Sequence, residues 1–223
     1  MVEASLSKTV QSLIQDDPSL QNALERGYGN FSGIARLLKP KVEESLGKGV
    51  TFEGMITAVK RARAIYVPTT EHQSIIAESV INLRTNVAKI SLEKTRRSLE
   101  KARLVSADFP EALFQVLEGA TTLTLITDER ISDEVRSVFR EEDILDEKQN
   151  LTEIIVQSPK GIVSTPGCIA SFYNPIARAQ INIEETISCH TETVIVVRME
   201  DAARAFSLLT DLIASARKKL KKL

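Results

Sequence analysis

Apolar residues recur at helical spacing through the first 64 positions, in short and often interrupted runs. Leu6, Val10, Leu13 and Ile14 share one helical face; Pro18 in DDPS breaks the run, and Leu20, Ala23 and Leu24 resume it. GYGN breaks it again at Gly27 and Gly29. Ser32 is placed to cap a helix burying Ile34, Leu37 and Leu38, and Pro40 fits the first turn of another short helix carrying Val42 and Leu46. After GKG at 47–49, Thr51 would cap a helix whose inner face is Phe52, Met55, Ile56 and Val59. The prediction for 1–66 is an all-helical bundle of four or five short helices.

Past Tyr66 the pattern changes, with VPTT (67–70) as the expected linker and a short helix at 71–78. Ile81, Leu83, Thr85 and Val87 alternate as a strand, 92–104 reads as a helix, 111–128 as two strands hinged near Gly119, and a helix from Ser132 carries Val135, Val138 and Phe139. The order then repeats: a strand at 151–157, a helix at 165–179, strands at 181–188 and 193–199, and a last helix burying Ala205, Leu208, Leu209, Leu212, Ile213 and Ala216. A repeated β-α-β-β-α unit predicts an α+β protein in which two ferredoxin-like modules (77–147 and 148–223) follow the bundle, each an antiparallel sheet with helices on one face. Neither copy shows a closing fourth strand. The bare edges, and the apolar run Val194 to Val197, must then be covered within the chain or by a second copy, and a twofold homodimer is the expected closure.

Composition narrows the function. The 223 residues are 43% hydrophobic and 26% charged with net charge −1, so the chain as a whole is no basic nucleic-acid binder. It lacks an 18-residue apolar run and a signal-peptide pattern, and its two cysteines, Cys168 and Cys189, suit a reducing compartment; a cytoplasmic protein is expected. No P-loop, glycine-rich dinucleotide loop, nucleophile elbow or paired-histidine motif occurs, so neither an enzyme nor a cofactor is expected. Cys189 and His190 adjoin, but neither His72 nor Cys168 stands at zinc-ligand spacing, so no metal site is predicted. The closing RKKLKKL suits the negative end of a helix dipole.

The stretch TPGCIASFYNPIARAQINIEETISCHTETVIVVRMEDAARAFSLLTDLI (165–213) resembles an ACT domain, the amino-acid-sensing module, most closely that of aspartokinase regulatory regions. The likeness rests on the Pro166–Gly167 turn into a helix, the Ile181–Ile183 segment, and Thr191–Glu192 before an apolar strand. Residues 79–147 resemble a second, degenerate module whose turn, NVAKISLEK, has no glycine.

The resemblance implies an amino-acid site at Thr165, Pro166, Gly167, Cys168, Ile169, Asn182, Ile183 and Glu192. A ligand carboxylate wants N–H donors, which the helix start after Gly167 supplies through the amides of Cys168 and Ile169. Asn182 would add donors and acceptors from the second strand. Each feature has a plainer reading: a turn that only starts a helix, an inert Cys168, and a solvated hairpin carboxylate at Glu192.

NFSGIARLL, KPKVEESL and TFEGMITAVKRAR loosely resemble a helix-turn-helix, with Lys60, Arg61 and Arg63 on a phosphate-facing edge; a capping bundle or partner-docking unit fits the same pattern. The leading expectation is a non-catalytic regulator that binds an amino acid. The alternatives are an amino-acid-responsive DNA-binding regulator, a protein acting on a partner enzyme, and a scaffold whose modules only assemble.

Overall fold

The computed structural model describes residues 5–25, 27–66 and 70–221, in two compact units, 1–69 and 70–223. Most of the expected linker at 67–70, and the last two residues of RKKLKKL, lie outside the described residues.

The first unit holds α1 (Leu6–Gln15), α2 (Pro18–Glu25), α3 (Phe31–Leu46) and α4 (Phe52–Tyr66). Their starts are set by short polar side chains. Asp17 Oδ1 accepts from the amides of Ser19 and Leu20 at 2.9 and 3.2 Å, and Thr51 Oγ1 from Gly54 at 3.2 Å. Asn30, not Ser32, caps α3, taking the amides of Ser32 and Gly33. Pro40 does not begin a new helix but sits inside α3. It is exposed, so water can reach the carbonyl its missing N–H abandons. Ile34, Ala35, Leu38 and Val42 run past it on one buried stripe, joining Val10, Ile14, Leu24, Met55 and Val59 in the core.

The second unit begins with α5 (Thr70–Glu78) and then runs β1 (Val80–Glu93), α6 (Arg96–Asp108), β2 (Phe114–Glu118), β3 (Thr122–Asp128), α7 (Glu129–Ser137), β4 (Ile144–Gln157), α8 (Cys168–Arg178), β5 (Glu185–Cys189), β6 (Glu192–Arg198) and α9 (Met199–Leu220). The twice-repeated β-α-β-β-α order is present. Its strands form one antiparallel six-stranded sheet, ordered β2-β3-β1-β4-β6-β5. The topology accounts for the missing fourth strands: β4 lies beside β1 where a ferredoxin-like unit has its fourth strand, and β1 does the same for β4. Each long strand is interrupted by a left-handed asparagine, Asn86 and Asn150, both at φ 57°.

Several boundaries differ from expectation. The strand expected at 81–87 continues to Glu93, so Leu92 points into the first module's core and the helix starts only at Arg96. The strand expected at 151–157 begins at Ile144, where LDEKQN is too polar to show alternation. The helix expected from Ser132 starts at Glu129.

Helices α5, α8 and α9 cover one face of the second half-sheet, packing on Ile154, Val156, Ile195 and Val197. Strand alternation turns Leu151, Val194 and Val196 to the opposite face, where they cluster with Val87, Leu113 and Ile126. Val194 to Val197 is therefore buried on both faces within the chain. The sheet edges left are β2 and β5.

Candidate ligand site at the start of helix α8

After β4 the chain is tied to the β5–β6 hairpin by Ser158 N donating to Thr191 O at 2.9 Å, then coils through a 3-10 turn at Lys160–Val163. Thr165 N returns to Gly161 O at 3.0 Å. Gly167 sits at φ 84°, a left-handed conformation that costs glycine little and a side-chain-bearing residue about 1–2 kcal/mol. It stands at the N-cap of α8, where no side chain caps the helix. The first intrahelical bond is Ser171 N to Gly167 O, 3.1 Å, which leaves the amides of Cys168, Ile169 and Ala170 ahead of it as donors.

Two side chains of α5 reach this turn. Thr165 Oγ1 donates to Glu71 Oε1 at 3.2 Å, and His72 Nε2 lies 3.2 Å from Ser171 Oγ. Pro166 and Ile169 are exposed. Cys168 is fully buried; burial first, and the Glu71 charge second, push its thiol pKa up, so it stays protonated and unreactive at neutral pH.

The remaining sequence-predicted residues divide between the two ends of the second module. Glu192 opens β6 and accepts from Gln157 Nε2 at 3.1 Å, at the sheet end from which the turn into α8 departs. Asn182 and Ile183 lie beyond the far end of α8, which at about 1.5 Å per residue is roughly 16 Å long. They are not in the second strand as expected, because that strand starts at Glu185. Gln180, left-handed at φ 56°, ends α8, and Ile181 N bonds back to Ile176 O at 3.2 Å, so 181–184 are spent on turning the chain.

At that far end Asn182 joins a polar cluster around Glu184, whose side chain is 1% exposed. Glu184 accepts from Lys148 Nζ at 2.5 Å and Arg198 Nε at 3.1 Å. Burial alone would raise its pKa, but the hydrogen bonds from Lys148, Asn182 and Arg198 outweigh it and hold the carboxyl at about 2. A cleft of about 300 Å³ borders Lys148 and Arg198, but both cations are already committed to Glu184.

The equivalent turn of the first module is closed by its own chain. Thr95 Oγ1 takes the Ser98 amide at 3.0 Å and Ser98 Oγ takes the Thr95 amide at 2.8 Å, a reciprocal capping box. In the first unit Lys60 and Arg61 are exposed on α4, while the Arg63 guanidinium stands 5.9 Å from the Phe31 ring centroid.

The ACT-domain family profile matches residues 148–211. This segment is an ACT domain. The fold around it is that of aspartate kinase regulatory regions. The regulatory subunit of aspartate kinase from Thermus flavus superposes with TM-score 0.52 at 15% identity, over 59% of this chain and 95% of its own. The aspartate kinase of Synechocystis gives 0.51 at 14%, over 62% and 27%, and that of Clostridium acetobutylicum 0.50 at 14%, over 60% and 34%. This chain thus spans about a third or less of those two kinases. No curated protein matches it in sequence.

Proposed function

We propose that the protein is a non-catalytic regulator whose ACT domain binds a small molecule, an amino acid, at the start of α8. One contrast supports this reading. The helix start in the ACT domain carries a left-handed glycine and no side-chain cap, whereas the first module's is closed by Thr95 and Ser98. The ligand carboxylate would take the amides of Cys168 to Ala170, and Glu192 would take the ammonium. Asn182 and Ile183 belong to the other end of the module and are left out of this site.

The helical bundle, which the chain joins to the sensor through α5, is assigned the output role. No helix among the described residues is long and apolar enough to cross a membrane, and both cysteines are free, which suits action in the cytoplasm. The open edges β2 and β5 favour a homodimer, read as twice 24.7 kDa in light scattering. A monomer would refute that part alone.

The ligand reading is tested by calorimetry and thermal shift against the twenty amino acids. One of them should stabilise the chain, by about 2.7 kcal/mol at a hundred times its dissociation constant. Gly167→Leu should abolish the response in a chain that still folds. Silence from all twenty up to millimolar concentration would end this reading.

A further inference from the structure

Helix α5 precedes both modules and lies outside the ACT match, yet its first turn closes over the start of α8. Its body is anchored deeply. Ile75, Ile76 and Ala77 are buried in the main core, Arg217 Nε donates to Ala77 O at 2.7 Å, and the Ser79 and Ser158 hydroxyls are 2.9 Å apart. The first turn is held differently, by polar contacts from exposed Glu71 and half-buried His72. Ser171 Oγ also lies 3.1 Å from Gly167 O. With its one proton directed there, it accepts from His72 Nε2–H.

Gly161 lets α5 pack closely, since a Cβ there would lie 3.1 Å from Ile75 Cδ1; at Gly167 a Cβ would meet His72 Nε2 only at ordinary contact distance, 3.8 Å, so glycine is required there by its φ and not by space. Glu71 is also the anion whose field reaches Cys168, the first residue of α8. It holds a position at the positive end of the helix dipole that an incoming carboxylate would contest.

We propose that Glu71 and His72 form a clasp that keeps the α8 turn closed, and that an anion entering at the Cys168–Ala170 amides must displace it. Thr70, which opens α5, is the first residue of the 70–223 unit. The displacement rests on the ligand reading above; the closure does not.

Buried Cys168 reports the closure without any ligand. In full-length protein carrying Cys189→Ser, Glu71→Ala with His72→Ala should speed thiol labelling of Cys168 about tenfold by local opening, with the urea midpoint unchanged. Thr165→Val, which breaks the Glu71 contact from the other side, should do the same in part, whereas Glu71→Gln keeps an acceptor and should label like its parent. Unchanged labelling in both clasp-breaking variants, or rates that merely follow lost global stability, would overturn the clasp. In thermal shifts with the twenty amino acids, the released variant should respond at about tenfold lower concentration than its parent. Equal concentrations would overturn the displacement and leave the ligand site standing, while silence from both chains with faster labelling would remove the ligand site and leave the closure.

Discussion

Glu153→Met is expected to raise the unfolding free energy of the 70–223 unit by about 2 kcal/mol. Glu153 lies in the middle of β4, paired with Arg84 on β1 and Val196 on β6, and is 0% exposed. Neither carboxyl oxygen has a hydrogen-bond partner among the described residues. Its same-face neighbours Leu151 and Val196 are apolar core residues. An unsatisfied buried polar group costs about 1–3 kcal/mol, and methionine fills similar space without polar atoms.

Burial pushes the Glu153 pKa up, Arg84 offsets part of that, and Asp128 adds to it. A carboxyl whose folded pKa is raised gives its full stability below the unfolded value and loses it as pH rises through the folded one. The methionine variant should therefore gain more at neutral than at acid pH, whereas Glu153→Gln, which keeps polar atoms in the same place, should gain less. Lys89 is the control: it stands three residues after Asn86, as Glu153 does after Asn150, but its Nζ donates to Glu184 O at 3.0 Å. Lys89→Met should destabilise. Urea titrations of the three variants decide the matter, and a less stable Glu153→Met would show that the carboxyl has a partner after all.

The order of elements was legible because it is written in the two hydrophobic periods, which each buried stripe or face enforces. Reading failed where burial does not dictate the pattern. The polar half of β4, 144–150, pairs only with β1, so nothing there forces alternation. Pro40 punctuates a sequence but not the helix, since its exposed side tolerates the lost hydrogen bond. The Gly167 turn was legible from Pro-Gly before an amphipathic run. Asn182 was misplaced because Ile181 and Ile183 mimic strand alternation while serving a helix end. The clasp left no local signal: Glu71 meets Thr165 across 94 positions of chain and His72 meets Ser171 across 99. The same holds for Glu184 and Lys148, 36 positions apart.

Glu184 gives the second large effect, with the opposite sign to Glu153. Its carboxyl is held at about 2 against an ordinary 4.5, because the hydrogen bonds from Lys148, Asn182 and Arg198 overcome the burial that would raise it. A depressed folded pKa means that the stabilisation is complete above the unfolded value and is lost as pH falls through 4.5 toward 2. At 1.36 kcal/mol per pKa unit the loss is about 3 kcal/mol, with half-exposed Arg198 the partner most open to screening by salt. Glu184→Gln should cost stability near neutral pH and converge with the parent in acid, and added salt should narrow the gap only in part. Glu153 gains its stability as pH falls toward 4.5, and Glu184 loses its own as pH falls below that value, so the two carboxyls act in adjoining ranges. Above pH 4.5 Glu153→Met should therefore lack the gain on acidification that the parent shows, and below it Glu184→Gln should lack the parent's loss. Parallel pH profiles for all three proteins would show that neither carboxyl titrates as its surroundings require.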